Sequence, residues 1–266
     1  MKFAKKKVLI TGASEGIGLA SAQRFATKGA DIVLVARDME KLIVAEQSIS
    51  KMNVQTAVIK CDVADAKQVQ DMAKQVQEFG GVDILINNAG FAIYDTVSDQ
   101  SVEQIKSQIL VNYMGMVHCT KAFLPSMLEH GYGRIINIAS VGASIGVPSL
   151  APYCASKFAI LGFSESLRYE LQKTGVDVTV ISPIMTRTNF FTHSSFGKMG
   201  ERTTVSVSAQ MVAKAIEMGI TSKKLEITVP KFARCAIWAK QMFPYFVMPY
   251  IGRIFNKQFE RVKKER

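Results

Sequence analysis

Short apolar runs alternate with stretches of helical period from one end of this chain to the other. Val8–Thr11, Asp31–Ala36, Val54–Lys60, Val82–Asn87, Gly133–Ala139, Val176–Ser182 and Leu225–Val229 read as strands. Their apolar residues follow one another with little polar alternation, which predicts strands buried on both faces. Between them, Ile17–Lys28, Met39–Met52, Lys67–Phe79, Val102–Glu129 (with Pro125 near its end), Pro152–Lys173 and Ser206–Met218 carry helical patterns. A strand-helix rhythm of this kind predicts an α/β fold, a parallel sheet with helices on both faces. No internal repeat, long linker or low-complexity segment interrupts it. Residues 1–230 are expected to form one domain and residues 231–266 a C-terminal extension.

Composition narrows the picture. At 48% hydrophobic residues over 266, the chain can bury a sizeable core. Cys61, Cys119, Cys154 and Cys235 form no CxxC pair and have no histidines at ligand spacing, so free thiols, a reducing (cytoplasmic) compartment and no metal are expected. His118, His130 and His193 show no ligand spacing either, and His193 falls in a variable loop. Near the N-terminus only Val8, Leu9 and Ile10 run together, far short of the roughly 7–15 apolar residues of a signal peptide. The formal net charge is +11, a balance that raises the question of nucleic acid. Nine Lys/Arg and two Glu from Lys231 onward account for +7 of it, so the body is only mildly basic and no nucleic-acid groove is expected.

Candidate chemistry begins after the first strand, at Thr11-Gly12-Ala13-Ser14-Glu15-Gly16-Ile17-Gly18. Glycines here permit a tight turn and close approach to a pyrophosphate, and the helix that follows offers free N–H groups and a positive dipole end. The second strand ends Ala36-Arg37, without the carboxylate that would bind a ribose 2′-hydroxyl. Arg37 suits a 2′-phosphate, which favours NADP over NAD; Asp38 and Glu15 cut the other way. Farther on, Tyr153 and Lys157 stand four residues apart on one helical face. An ammonium beside a phenol is expected to lower a pKa that starts near 10, which would fit the tyrosine for proton transfer.

Together with Asp62 after the third strand, Asn87-Asn88-Ala89-Gly90 after the fourth, Asn112, and Ser140 at the end of the fifth, these residues make the chain resemble the short-chain dehydrogenase/reductase family from about Lys7 to Thr188. The resemblance implies a seven-stranded, doubly wound sheet, an NAD(P) cofactor and a homodimer or homotetramer. It implies that Tyr153 gives a proton to the carbonyl oxygen. Lys157 would hold the nicotinamide ribose, Ser140 the substrate oxygen, and Asn112 a relay water. Asp62 and Val63 would meet the adenine, Asn88 would stabilise the central strands, and Thr188 would reach the carboxamide or phosphate. One departure stands at Pro183-Ile184-Met185-Thr186-Arg187-Thr188, where the family carries glycine in place of Ile184. That puts the contacts of Thr186 and Thr188 in question.

The substrate lid is expected over about 189–204, where Phe190, Phe191, Phe196 and Met199 suggest an apolar substrate. Eight of the 23 aromatic residues fall in the last 36, interleaved with Lys and Arg. That composition suits a segment lying in a membrane interface, and equally one packing on a neighbouring subunit or over the active site. A spanning helix is not expected, because Lys240, Gln241, Pro244 and Pro249 interrupt the run. The function these features favour is NADP(H)-dependent reduction of a ketone on a hydrophobic substrate such as a 3-oxoacyl chain, ketosphingoid base or steroid-like ring. Two alternatives stand beside it: an alcohol dehydrogenase working in the oxidative direction, and a non-catalytic NADP(H)-binding sensor or scaffold.

Overall fold

The strands alternate their apolar side chains between the two faces of one sheet. Val8 and Ile10 of β1 (Lys7–Thr11), Ile32 and Leu34 of β2 (Asp31–Ala36), and Ile84 and Ile86 of β4 (Ile84–Asn87) enter one core; Leu9, Val33, Val35 and Leu85 enter the other. Both faces of the sheet are covered, which is why these strands read as unbroken apolar runs. The first is closed by α1 (Gly16–Ala26) and α7 (Ala209–Ser222), through Phe25, Val212 and Ile216. The second is closed by α3 (Ala66–Glu78), α5 (Gly115–Glu129) and α6 (Ala151–Glu170), through Met72, Phe123, Met127 and Leu167.

The structure, a computed structural model, describes residues 3–191, 194–199, 205–222, 224–250 and 252–253. With β3 (Thr56–Lys60), β5 (Gly133–Ile138), β6 (Val176–Pro183) and β9 (Glu226–Val229), the seven strands lie in the order β3-β2-β1-β4-β5-β6-β9, every pair parallel. The fold is thus the parallel α/β sheet that the strand-helix rhythm predicts, in the seven-stranded, doubly wound form that the family resemblance implies. From β1 the chain runs outward through β2 and β3 on one side, then returns to continue through β4 on the other. The reversal opens a crevice at the carboxyl ends of β1 and β4, where such sheets bind ligands.

Several boundaries differ from the sequence reading, each for a physical reason. The helix expected over Val102–Glu129 is α4 (Val102–Ile109) and α5 with a π-helical segment, Leu110–Met114, between them. β3 begins at Thr56 because Ser50–Met52 winds as a 3-10 turn and Asn53 takes a left-handed φ of 56°. Helix α2 therefore covers only Met39–Gln47. Expected helix at Ser206 starts at Ala209, since β8 (Val207–Ser208) pairs with β7 (Thr186–Arg187) in a small second sheet. His193 and residues 200–204 of the lid, and the tail beyond Arg253, lie outside the described residues.

The beginning of the extension is helical, as α8 (Ala233–Met242), followed by helical residues 244–250. Ala233 and Ile237 are buried, Arg234 pairs with Glu226 of β9 at 3.1 Å, and the Lys240 ammonium donates to the Ser144 carbonyl at 2.6 Å. The extension's first helix is therefore fastened over the carboxyl end of the sheet. No described helix is long and apolar enough to cross a membrane.

Candidate active site

The glycine-rich turn between β1 and α1 is shaped by close backbone contacts. A Cβ at Gly18 would stand 2.1 Å from the Gly12 carbonyl oxygen, and one at Gly12 would stand 3.0 Å from both Ala89 Cα and Asn88 Nδ2. Gly12 and Gly16 take φ of +64° and +60°, a region that favours glycine. Glu15 stands at the N-cap of α1 and its side chain accepts from none of the helix's N–H groups, so these keep their donors free of a side-chain cap. Asn88 ties the two central strands at this point: its Nδ2 donates to the Thr11 and Gly12 carbonyls at 2.9 and 3.1 Å, and the Thr11 hydroxyl accepts from the Asn88 and Ala89 N–H groups at 3.0 Å each.

A single cavity of about 1330 Å³ starts here and runs to the far side of the crevice. Its inner half is walled by Gly12, Ser14, Glu15, Gly16, Ile17, Arg37, Asp62, Val63, Asn88, Ala89 and Gly90. Lys41, which the sequence reading missed, joins them. The signal was available: Asp38 caps α2 by accepting from the Lys41 N–H at 3.1 Å, and a cap-x-x-Lys pattern after a strand puts the lysine on the helix's first turn. That bond also engages the Asp38 carboxylate, and Glu15 accepts from Asn189 Nδ2 at 2.9 Å. Phosphates fit this half of the cavity: it has an uncapped helix N-terminus, a turn that glycines keep open and two cations at its edge.

At the middle of the cavity stand Ser140, Tyr153 and Lys157. Ser140 ends the β5 edge, where its Oγ accepts from the Gly142 N–H at 3.0 Å, a local turn that fixes the hydroxyl. Tyr153 lies in the first turn of α6, with Pro152 just ahead of it. Burial pushes its phenol up to about 12, and a hydrogen bond with the Ser140 hydroxyl only partly opposes this. Burial works against the lowering expected from Lys157. Although Lys157 Nζ is 5.6 Å from the Tyr153 ring centroid, it donates to the Ile138 carbonyl at 2.8 Å, and burial brings its own pKa down to about 8. Desolvation at both groups outweighs their proximity.

Asn112 sits in the π-helical segment, 1% exposed. Its amide is fully engaged: Oδ1 accepts from the Phe91 N–H at 2.9 Å, while Nδ2 donates to the Phe91 carbonyl at 2.9 Å and to Ser156 Oγ at 3.0 Å. Ser156 in turn donates to the Tyr153 carbonyl at 2.6 Å. The side chain thus joins the loop after β4 to the catalytic helix α6.

Pro183, Ile184, Thr186 and Thr188 also line the cavity. Ile184 has no left-handed φ, so the departure from glycine carries no backbone strain; its N–H donates to the Val229 carbonyl at 2.8 Å. The Thr186 hydroxyl turns back to the Ile184 carbonyl at 3.1 Å, and that of Thr188 to the Thr186 carbonyl at 3.4 Å. The outer half of the cavity is apolar, lined by Tyr94, Ile145, Val147, Leu150, Phe190 and Phe196, with Phe232, which precedes α8, and Ala236 of α8. The last two were not anticipated as site residues. Lid and walls interlock, with Tyr94 against Phe196, Phe190 against Tyr153, and the Tyr94 N–H donating to Ser195 Oγ at 3.0 Å.

Comparison with known proteins agrees with this geometry. The family model described as short chain dehydrogenase matches residues 6–197. An uncharacterized oxidoreductase of Staphylococcus epidermidis is 37% identical over 221 residues, covering 83% of this chain and 93% of that protein. The 17-beta-hydroxysteroid dehydrogenase 13 of Rattus norvegicus is 35% identical over 268 residues, covering 97% and 86%. A short-chain dehydrogenase from Sphingobium yanoikuyae, solved in complex with NADPH, superposes with a TM-score of 0.80 at 28% identity, covering 92% of this chain and 95% of that one. With its parallel sheet, its glycine-rich turn and its Ser140, Tyr153 and Lys157 cluster, the chain belongs to the short-chain dehydrogenase/reductase family of NAD(P)-dependent oxidoreductases.

Proposed function

We propose that the protein is an NADP(H)-dependent reductase that converts an apolar ketone to a secondary alcohol. The observation that carries this reading is the Tyr153 phenol, buried beside Ser140 at the junction between a phosphate-suited groove and an apolar chamber. The nicotinamide supplies the hydride. Tyr153 Oη gives the proton to the carbonyl oxygen, and the Ser140 hydroxyl donates a hydrogen bond to the same oxygen. Lys157 offers its ammonium to the ribose hydroxyls. Because the Asn112 side chain is committed to Phe91 and Ser156, its contribution to a relay water is assigned to its backbone carbonyl, in a π-helical turn of the kind that often marks functional sites.

Selection of NADP rests on Arg37 with Lys41, supported by Asp38 and Glu15 being occupied elsewhere. Ser14, Gly16 and Ile17 at the head of α1 hold the pyrophosphate, Asp62 and Val63 flank the adenine, and Thr186 and Thr188 flank the carboxamide. Residues 1–230 act as the catalytic domain, and 231–266 as an extension whose beginning helps to wall the chamber. A homodimer or homotetramer in a reducing compartment belongs to the same reading. It is supported by Leu110 and Tyr169, exposed on neighbouring helical elements, and by four free cysteines.

The test is NADPH consumption over ketones of graded chain length, repeated with NADH and with Tyr153→Phe. Turnover is expected with NADPH, rising with chain length, and is expected to vanish in Tyr153→Phe while NADPH still binds. Retention of more than a few per cent of kcat would take the proton-donor role away from Tyr153.

A further inference from the structure

The reading of an apolar ketone leaves open how such a substrate reaches a chamber inside the fold, and the extension bears on this. Helix α8 has two different sides. One side is part of the chamber: Phe232 and Ala236 line it, and Ile237 is buried. Two fastenings hold it there, Arg234 to Glu226 and Lys240 to Ser144, the latter in the turn that opens with Ser140. The other side, with the helical residues that follow, leaves Trp238, Met242, Phe243, Tyr245, Phe246 and Tyr250 between 53% and 90% exposed. Eight of the twenty large apolar side chains exposed among the described residues fall between 232 and 250. An apolar ledge of that density marks an interaction surface, and here it is continuous with the mouth of the chamber through Phe232.

Charge decides what the ledge meets. Residues 231–253 contain no acidic residue, and with Arg234 paired to Glu226 and Lys240 bonded to the Ser144 carbonyl, the exposed Lys231 and Arg253 are the cations the ledge presents. A second copy of the chain would bring the same cations against these; an anionic lipid surface complements both the cations and the aromatics. Tryptophan and tyrosine, with apolar bodies and polar tips, settle at the headgroup level, and lysine and arginine meet acidic headgroups there.

Resting on the reductase reading, we propose that the ledge of 232–253 docks the protein on an anionic bilayer with the chamber mouth turned toward it. The ketone then passes from the lipid past Phe232 to Ser140 and Tyr153 without crossing water. Phe232 and Ala236 are the gateposts, and Lys240 keeps the docked helix in register with the Ser140 turn.

Flotation of the full chain with phosphatidylcholine vesicles, with and without phosphatidylserine, tests this. The variant F243S/F246S removes two exposed rings that touch neither chamber nor cofactor groove. The full chain is expected to float with the phosphatidylserine vesicles at low salt and progressively less as salt rises, since the electrostatic part is screened within about 10 Å. The double variant is expected to bind roughly tenfold more weakly or worse, with NADPH turnover on a short water-soluble ketone unchanged. The proposal is overturned if the full chain ignores anionic vesicles at low salt, or if the variant floats equally well. It is also overturned if light scattering shows that the variant splits an assembly while vesicle binding is absent, because the ledge then joins copies of the chain. Flotation needs no turnover, so a failure of the reductase reading would show separately, as an absence of NADPH consumption.

Discussion

Replacing Lys157 with methionine should stabilise the fold at neutral pH while abolishing turnover. The lysine is 4% exposed and makes one hydrogen bond, to the Ile138 carbonyl. Burial brings its pKa from 10.5 to about 8. Below pH 8 the side chain is charged in both folded and unfolded chains, and the folded state bears the full cost of the buried ammonium. The drop in pKa sets that cost at about 3 kcal/mol. Methionine has a similar shape and no charge. It forfeits the hydrogen bond to Ile138, worth about 1 kcal/mol, so the net gain is about 2 kcal/mol at pH 7. Between pH 8 and 10.5 the unfolded lysine keeps a proton that the folded one has released, so the parent gains stability with rising pH and the advantage of the variant shrinks. Above 10.5 the sign should reverse, leaving only the lost hydrogen bond. Urea denaturation followed by circular dichroism at pH 7, 8.5 and 10, without cofactor, reads this directly. A variant less stable than the parent at pH 7, or a difference independent of pH, would refute the account of Lys157 as a charge held at the expense of the fold.

Arg37→Ala and Lys41→Ala should each weaken NADPH by about tenfold or more, from the loss of a charge-assisted contact, and leave NADH nearly unchanged. Fluorescence titration with both cofactors checks this, and equal losses would remove the pair as selectors. In Gly18→Ala the new Cβ meets the Gly12 carbonyl oxygen at 2.1 Å and its carbon at 2.8 Å, so the loop itself must shift. Cofactor affinity should collapse, with a lower Tm as well; unchanged calorimetric binding would mean the turn is looser than its packing indicates.

What was legible in the sequence, and what was not, divides along a physical line. The strands were legible because both faces of the sheet are covered, so Val8-Leu9-Ile10 could afford no polar residue and Ile84-Leu85-Ile86 none either. The glycine turn and the placement of Tyr153 and Lys157 on one face were legible for the same kind of reason: each rests on geometry within a few residues of chain. The π-helical break at Leu110–Met114 was not, because the period runs through it unbroken. What marks it is Asn112, whose amide closes on Phe91, twenty-one residues away. Lys41 was overlooked although its cap was local, because the charge matters only once β2 has carried it to the rim of the crevice. The role of α8 as a chamber wall depends on Lys240 meeting Ser144 across ninety-six residues.

The pair at the centre of the site makes the same division in energies. Spacing alone brings ammonium and phenol together and predicts a lowered phenol pKa. The fold buries both groups, so desolvation raises the phenol, lowers the ammonium and turns the lysine toward Ile138. Burial thus opposes the phenolate that a proton-accepting tyrosine would need. Whatever brings negative charge or hydrogen-bond acceptors close to Lys157 favours its ammonium form, and a charged Lys157 favours release of the Tyr153 proton. The ribose hydroxyls proposed to meet Lys157 are acceptors of this kind. Cofactor binding would then do more than deliver the hydride: it would return to the pair the electrostatic coupling that its spacing in the sequence suggests and that burial suppresses.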